Sequence, residues 1–173
     1  MLEWSEFKYA DGPNLRLVAT PVGIRAIEFD GGQRNTGKNA CATERSTGRN
    51  ACGTWLREAE RQLRAYFEGA LREFELPLDM QGTEFQKRVW TQLRTIPYGE
   101  TRSYGQIAAA IGAPAAVRAV GAANGANPIA IVVPCHRVIG ASGKLVGYGG
   151  GLALKKRLLE LEGAFPLNLS LVH

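Results

Sequence analysis

The segment from Asn127 to Val138, NPIAIVVPCHRV, constrains what this chain can become more than any other. Ile129 to Val133 is apolar and rich in β-branched residues, with a proline on either side, so it reads as a short buried strand or extended segment. Pro134 has no amide with which to continue a ladder, and regular structure is expected to stop there. Cys135 then sits at the end of a buried run beside His136, the only histidine other than the C-terminal His173. No regular pairing links the three cysteines, which makes Cys135 a candidate nucleophile rather than a staple. A buried structural cysteine next to a surface histidine fits the same residues. On an extended strand the two side chains would point apart, so direct contact between them requires a turn.

A chain of 173 residues, 45% of them hydrophobic, suffices for one large domain or for a small and a medium one. No apolar run approaches the length of a membrane span. Glu3, Glu6 and Lys8 stand where a signal peptide would be apolar, so a cytoplasmic protein with reduced thiols and no membrane association is expected. Charge is uneven. Residues 1–79 carry 11 basic and 12 acidic side chains, residues 80–173 carry 10 basic and 4 acidic, and the positive excess accompanies Cys135. That asymmetry favours a polyanionic partner for the second half.

Taken in order, Glu3 to Ala10, Leu15 to Thr20 and Gly23 to Asp30 are short alternating segments separated by turn residues, and predict a small antiparallel sheet. Residues 31–53 hold five glycines and no Val, Leu, Ile or aromatic residue, which predicts a long mobile loop. Within it Thr36 to Cys41 recurs as Thr47 to Cys52, a local duplication. A disulfide or metal role for Cys41 and Cys52 has no supporting histidine or close cysteine pair, so a tolerated insertion is the better reading. Thr54 is the expected N-cap of an amphipathic helix ending at Gly69, with Trp55, Leu56, Ala59, Leu63, Tyr66 and Phe67 on its buried side. Phe74 to Met80 should cross as an extended segment. Thr83 should cap a second helix through Ile96, with Phe85, Val89, Trp90, Leu93 and Ile96 as core. The fold class expected is α+β. Residues 1–79 are expected to form a sheet-and-helix scaffold domain, and residues 80–173 a mainly helical domain that carries Cys135 and the positive excess.

Ser103 to Ile111 and Pro114 to Asn124, broken at Gly112 and Ala113, have the pattern of a helix-turn-helix, with Pro114 in the first turn of the second helix. Any helical hairpin would share that pattern. The second helix is nevertheless unusual, since its alanines and Gly121 make a slim rod whose one charged side chain is Arg118. Such a rod approaches nucleic acid closely and has little with which to read bases. A helix of ordinary width, roughly 10 to 12 Å, exceeds a minor groove of roughly 6 Å, whereas this one fits if the groove opens. Leu152 to Gly163 reads as a last amphipathic helix, with Lys155, Lys156 and Arg157 on its polar side and Glu162 near its end.

Pro134 to Val138, preceded by Asn127 and Pro128, resemble the signature of the O6-alkylguanine-DNA alkyltransferases. The likeness continues at Gly82, Phe85, Gln86, Val89, Trp90, Ile96 to Glu100, Ser103, Tyr104, Arg118 to Gly121 and Glu162. The resemblance implies direct-reversal repair of O6-alkylguanine, and of O4-alkylthymine, by a monomer without cofactor or metal. It places the second helix, including Ala116 and Ala119, in the minor groove of double-stranded DNA, and Arg118 in the space of a nucleotide flipped out of the stack. Flipping is also required physically, because an alkyl carbon on guanine O6 is out of reach inside the stack. By the same resemblance Tyr104 faces the rotated phosphate and offers its hydroxyl to the base, while Tyr148 lines the pocket. The Gly149 amide serves the base, and the Cys135 and Val138 carbonyls accept from its exocyclic amine. A water bridges Cys135 to His136, Glu162 orients His136, and Asn127 ties the active-site turn to the helix-turn-helix. Thiolate attack leaves a thioether, which water does not hydrolyse, so each molecule acts once. A Cys-His hydrolase would turn over instead. An alkyltransferase-like DNA sensor would lack the cysteine.

Overall fold

Alternation of apolar positions builds the N-terminal sheet. In the computed structural model, which describes residues 2–10, 12–30, 44–45 (backbone only) and 50–164, three antiparallel strands form, β1 (Glu3–Phe7), β2 (Leu15–Ala19) and β3 (Ile24–Phe29). Phe7, Leu15, Leu17, Ile24 and Ile27 are each at most 2% exposed and make its core. A fourth, two-residue strand, β4 (Glu44–Arg45), pairs parallel with β1, giving the order β3-β2-β1-β4. The stretch expected as one long loop therefore contains a strand. It also contains the start of the first helix, and the rest of it, Cys41 included, lies outside the described residues.

That helix, α1 (Ala51–Phe67), begins three residues before the expected Thr54 cap. Asn50 is the N-cap, its side chain accepting from the Gly53 amide at 3.0 Å, whereas the Thr54 hydroxyl donates back to the Asn50 carbonyl. Asn and Thr are both good caps, and the earlier start buries Cys52 and Gly53. Leu56, Ala59, Leu63 and Tyr66 recur on the buried face as the spacing predicts. Gly69, at φ +74°, ends the helix in the left-handed conformation open to glycine. Buried Gln62 donates to the Glu75 carbonyl and accepts from its amide, fixing the crossing segment, which then pairs with β3 through Ile24 and Leu78.

Contacts divide the chain into two units, one of residues up to Gln81 with Pro128–Ala130, the other of Gly82–Asn127 with residues from Ile131 on. In the first, the Ile27 amide donates to the Pro128 carbonyl and the Ala130 amide to the Ile27 carbonyl. In the second, α2 (Glu84–Leu93) has a full capping box between Thr83 and Gln86, and buries Val89, Trp90 and Leu93. It stops short of Ile96, and Phe85 is only half-buried rather than core. A short strand, β5 (Arg102–Ser103), leads into α3 (Tyr104–Ala110), whose Ser103 cap forms a second capping box with Gln106. Gly112, at φ +72°, makes the tight turn to α4 (Val117–Gly125). Pro114 lies in the turn before α4 and not in its first turn, because α4 starts only after Ala116, which offers no side-chain cap. Strand β6 (Val138–Ile139) pairs parallel with β5, and α5 (Leu152–Leu161) ends the described chain, with Glu162 as its C-cap. Among the described residues no helix is long and apolar enough to cross a membrane.

Candidate active site

The apolar run before Cys135 is buried as expected but is not a regular strand. Ile129 bridges to Ile27, and Ile131 then takes φ +71°, a left-handed conformation that β-branched residues rarely adopt. Such strain costs on the order of 1 to 3 kcal/mol and persists only where packing enforces it; Ile129, Ile131 and Val133 are at most 1% exposed. The reversal delivers Pro134 to the head of a 3-10 turn, Cys135–Arg137. The Cys135 amide donates to the Val133 carbonyl at 2.8 Å, the Arg137 amide to the Pro134 carbonyl, and the Val138 amide to the Cys135 carbonyl. This turn departs from the extended backbone on which the Cys135 and His136 side chains would point apart.

Behind the turn lies a closed charged group. His136 Nε2 is 2.8 Å from Glu162 Oε1, and Arg137 grips the same carboxylate twice, from Nε to Oε2 at 2.8 Å and from Nη2 to Oε1 at 3.0 Å. A third guanidinium bond reaches the Ile96 carbonyl at 2.6 Å, and the Arg137 guanidinium also sits over the Tyr98 ring. The His136 and Glu162 side chains are fully buried. Against the effect of burial, the hydrogen bond from His136 and the hydrogen bonds and charge of Arg137 hold the Glu162 carboxyl at about 2, so it is ionised at neutral pH. Burial in turn depresses the His136 pKa, so the ring is neutral. A neutral ring beside a carboxylate keeps its proton on Nε2, which leaves Nδ1 as the acceptor. Nδ1 is buried and has no hydrogen-bond partner among the described residues.

Cys135 is a buried free thiol, 6% exposed. Burial pushes its pKa up, and the Asn127 side chain, the charge of Lys155 and the amides of Cys135 and His136 pull it partway back. The resting thiol is thus protonated at neutral pH and needs a base when it reacts. Asn127 Nδ2 donates to the carbonyl of Val133, two residues before Cys135, at 2.8 Å. Lys155 corrects the sequence reading. It is not on a polar face but 0% exposed, its Nζ donating to the Val138 carbonyl at 2.6 Å and the Val146 carbonyl at 2.8 Å. Burial lowers its pKa to about 8, with the charge of Cys135 opposing the shift.

The remaining residues singled out from the sequence are spread over α3, α4 and the segment from β6 to α5. Tyr104, half-buried, directs its hydroxyl at the Val146 carbonyl at 3.4 Å, and a Cβ built on Gly121 would stand 3.9 Å from the Tyr104 ring. Tyr148 meets the His136 ring edge-on, with centroids 6.4 Å apart. Gly149 is exposed on the loop between β6 and α5, while Val138 is buried at the start of β6. On α4, Arg118 and Ala119 are exposed and Ala116 is partly exposed at the N-cap. Sequence reasoning gave no role to Arg137 or Asn124, although Arg137 sits inside the motif. Among the described residues no three potential ligands are grouped to hold a metal ion, and Cys52 is buried in α1.

Residues 84–164 match the family model for the DNA-binding domain of 6-O-methylguanine DNA methyltransferase, and residues 14–80 match that for its ribonuclease-like domain. A methylated-DNA--protein-cysteine methyltransferase of Methanosarcina acetivorans is 64% identical over 158 residues, 91% of this chain and 96% of that one. One from Mycobacterium bovis is 68% identical over 111 residues, 64% of this chain and 67% of that one. The crystal structure of Mycobacterium tuberculosis OGT in complex with DNA is similar at a TM-score of 0.81 and 48% identity, covering 94% of this chain and 93% of that one.

Proposed function

The chain belongs to the 6-O-methylguanine DNA methyltransferase family, and from that membership and the geometry around the 3-10 turn we propose that Cys135 is its alkyl acceptor. The reaction is direct-reversal DNA repair, in which an alkyl group passes from O6-alkylguanine in DNA to a protein cysteine, and the protein binds DNA to perform it. The observation that carries the assignment of Cys135 is the buried His136, neutral because of its burial and fixed in place by Glu162 with Nδ1 left to accept, adjoining a buried thiol that cannot ionise unaided.

In this reading the Cys135 proton passes to His136 Nδ1 through a bridging water, and Glu162 stabilises the imidazolium. Sulfur attacks the alkyl carbon in line, the bond from that carbon to guanine O6 breaks, and Tyr104 offers the departing base a hydrogen bond or proton. The Gly149 amide also serves the base, Tyr148 lines its pocket, and the Cys135 and Val138 carbonyls accept from its exocyclic amine. Lys155 holds one of those carbonyls and favours the thiolate by its charge. Asn127 ties the turn to α4. Residues 80–173 act as the DNA-binding and active-site domain and residues 1–79 as scaffold. The protein works as a cytoplasmic monomer on the minor groove of double-stranded DNA, where α4 enters with Ala116 and Ala119 close to the backbone and Arg118 fills the space of the flipped nucleotide. O4-alkylthymine is a second substrate by the same route.

The product is a thioether, with no electrophilic carbonyl for water. Titrating a fixed amount of protein with excess duplex carrying O6-methylguanine should restore guanine to one equivalent and stop. Continued release beyond that equivalence would mark a Cys-His hydrolase and overturn the reading.

A further inference from the structure

We propose that Asn124 is a positioning residue for base selection, acting on the carbonyl of Cys135; this rests on the reading of that carbonyl as an acceptor for the exocyclic amine of guanine. Asn124 lies in the last turn of α4, three residues before Asn127, and is 4% exposed. Its Nδ2 faces the Cys135 carbonyl at 3.5 Å, and its Oδ1 has no hydrogen-bond partner among the described residues. A half-satisfied buried amide is a costly way to fill space that leucine, of nearly the same shape, would fill without loss. What the amide adds is a donor aimed at one oxygen.

That oxygen already accepts from the Val138 amide inside the 3-10 turn, so donors from two elements define where it points. At 3.5 Å the Asn124 contact is long for a hydrogen bond, so it is the donor that gives way most easily when a further donor approaches the oxygen. The Val138 carbonyl has a counterpart in Lys155 Nζ at 2.6 Å. Each of the two carbonyls thus accepts from a buried side-chain donor that helps to fix its direction. Asn127, from the same end of α4, serves a different purpose, since it bonds the Val133 carbonyl and the Cys135 thiol. The two asparagines divide the work, one acting on the sulfur and the other on the carbonyl.

The test compares single-turnover alkylation of wild type, Asn124→Leu and Asn124→Ala on duplexes carrying O6-methylguanine or O6-methylhypoxanthine, the same base without its exocyclic amine. Wild type should prefer guanine. Asn124→Leu should lose about three- to tenfold on guanine, the net worth of one hydrogen bond, and keep its rate on hypoxanthine. Reaction of Cys135 with iodoacetamide, which presents no base, should be unchanged. Equal losses on both bases, or slower reaction with iodoacetamide, would overturn the assignment, because Asn124 would then be supporting the fold or the thiol. An undiminished preference in the variants would overturn it too. Should wild type itself not distinguish the bases, the amine-acceptor reading beneath the proposal fails. If Asn124→Leu does not fold, Asn124→Ala, which removes the amide without placing methyl groups against the carbonyl, decides by the same comparison.

Discussion

Lys155 shows what a single buried charge does to the chemistry beside it. Its side chain is wholly out of water, burial brings its pKa to about 8, and its charge favours the thiolate of Cys135. Below about pH 8 Lys155 is protonated and lowers the thiol pKa; above that its help fades as the proton leaves. The rate of alkylation by free O6-benzylguanine should therefore rise through neutral pH, as thiolate forms, and level off as Lys155 deprotonates. Lys155→Met should move the rising limb to higher pH by about one unit, the lower end of what a nearby opposite charge does. A lowered rate with an unmoved pH profile would show that Lys155 acts only by holding the Val138 and Val146 carbonyls. Its burial was partly legible. Lys155, Leu158, Leu159 and Glu162 fall at i, i+3, i+4 and i+7, one face of a helix, but three successive basic residues read as a solvated side. Periodicity shows which face is buried without saying that a charge belongs on it.

Two capping boxes, Thr83 with Gln86 and Ser103 with Gln106, made the starts of α2 and α3 readable, because a side-chain cap is a local event written within four residues. The starts of α1 and α4 were misplaced for lack of such a signal. Asn50 and Thr54 compete as caps of α1, and Ala116 caps α4 with its backbone alone. The reversal at Ile131 was not legible either, since a β-branched residue at positive φ contradicts local preference and is imposed by packing from distant residues. At the level of function α4 remains the informative element: short, lined by alanine and glycine, and charged only at exposed Arg118. If Arg118 stands in for an extruded nucleotide, Arg118→Ala should slow repair of duplex DNA by about tenfold or more, the loss of one charge-assisted contact, and spare reaction with free O6-benzylguanine. Parallel rate measurements on the two substrates check this, and equal losses would place Arg118 in the chemistry instead.

For the molecule as a whole, alkylation adds carbon where there is little room. Cys135 follows a run of residues that are all buried, and its turn is bonded to Asn127 and Lys155 and backed by the His136–Glu162–Arg137 group. Overpacking a tight interior typically costs about 1 to 3 kcal/mol, and each kcal/mol lowers the melting temperature of a chain this size by roughly 2 to 4 °C. Thermal unfolding should therefore fall from the free to the methylated to the benzylated protein. Equal or higher melting temperatures for the alkylated forms would mean that the pocket has room for the adduct. On the proposed mechanism the alkyl group ends on one sulfur. Mass spectrometry of the intact protein, followed by peptide mapping, after incubation with a duplex carrying a single O6-methylguanine tests that most directly. The predicted result is one added methyl on Cys135, none on Cys41 or Cys52, guanine restored in the DNA, and no modification or repair by Cys135→Ser. A methyl found on another residue, or repair that survives in Cys135→Ser, would contradict it.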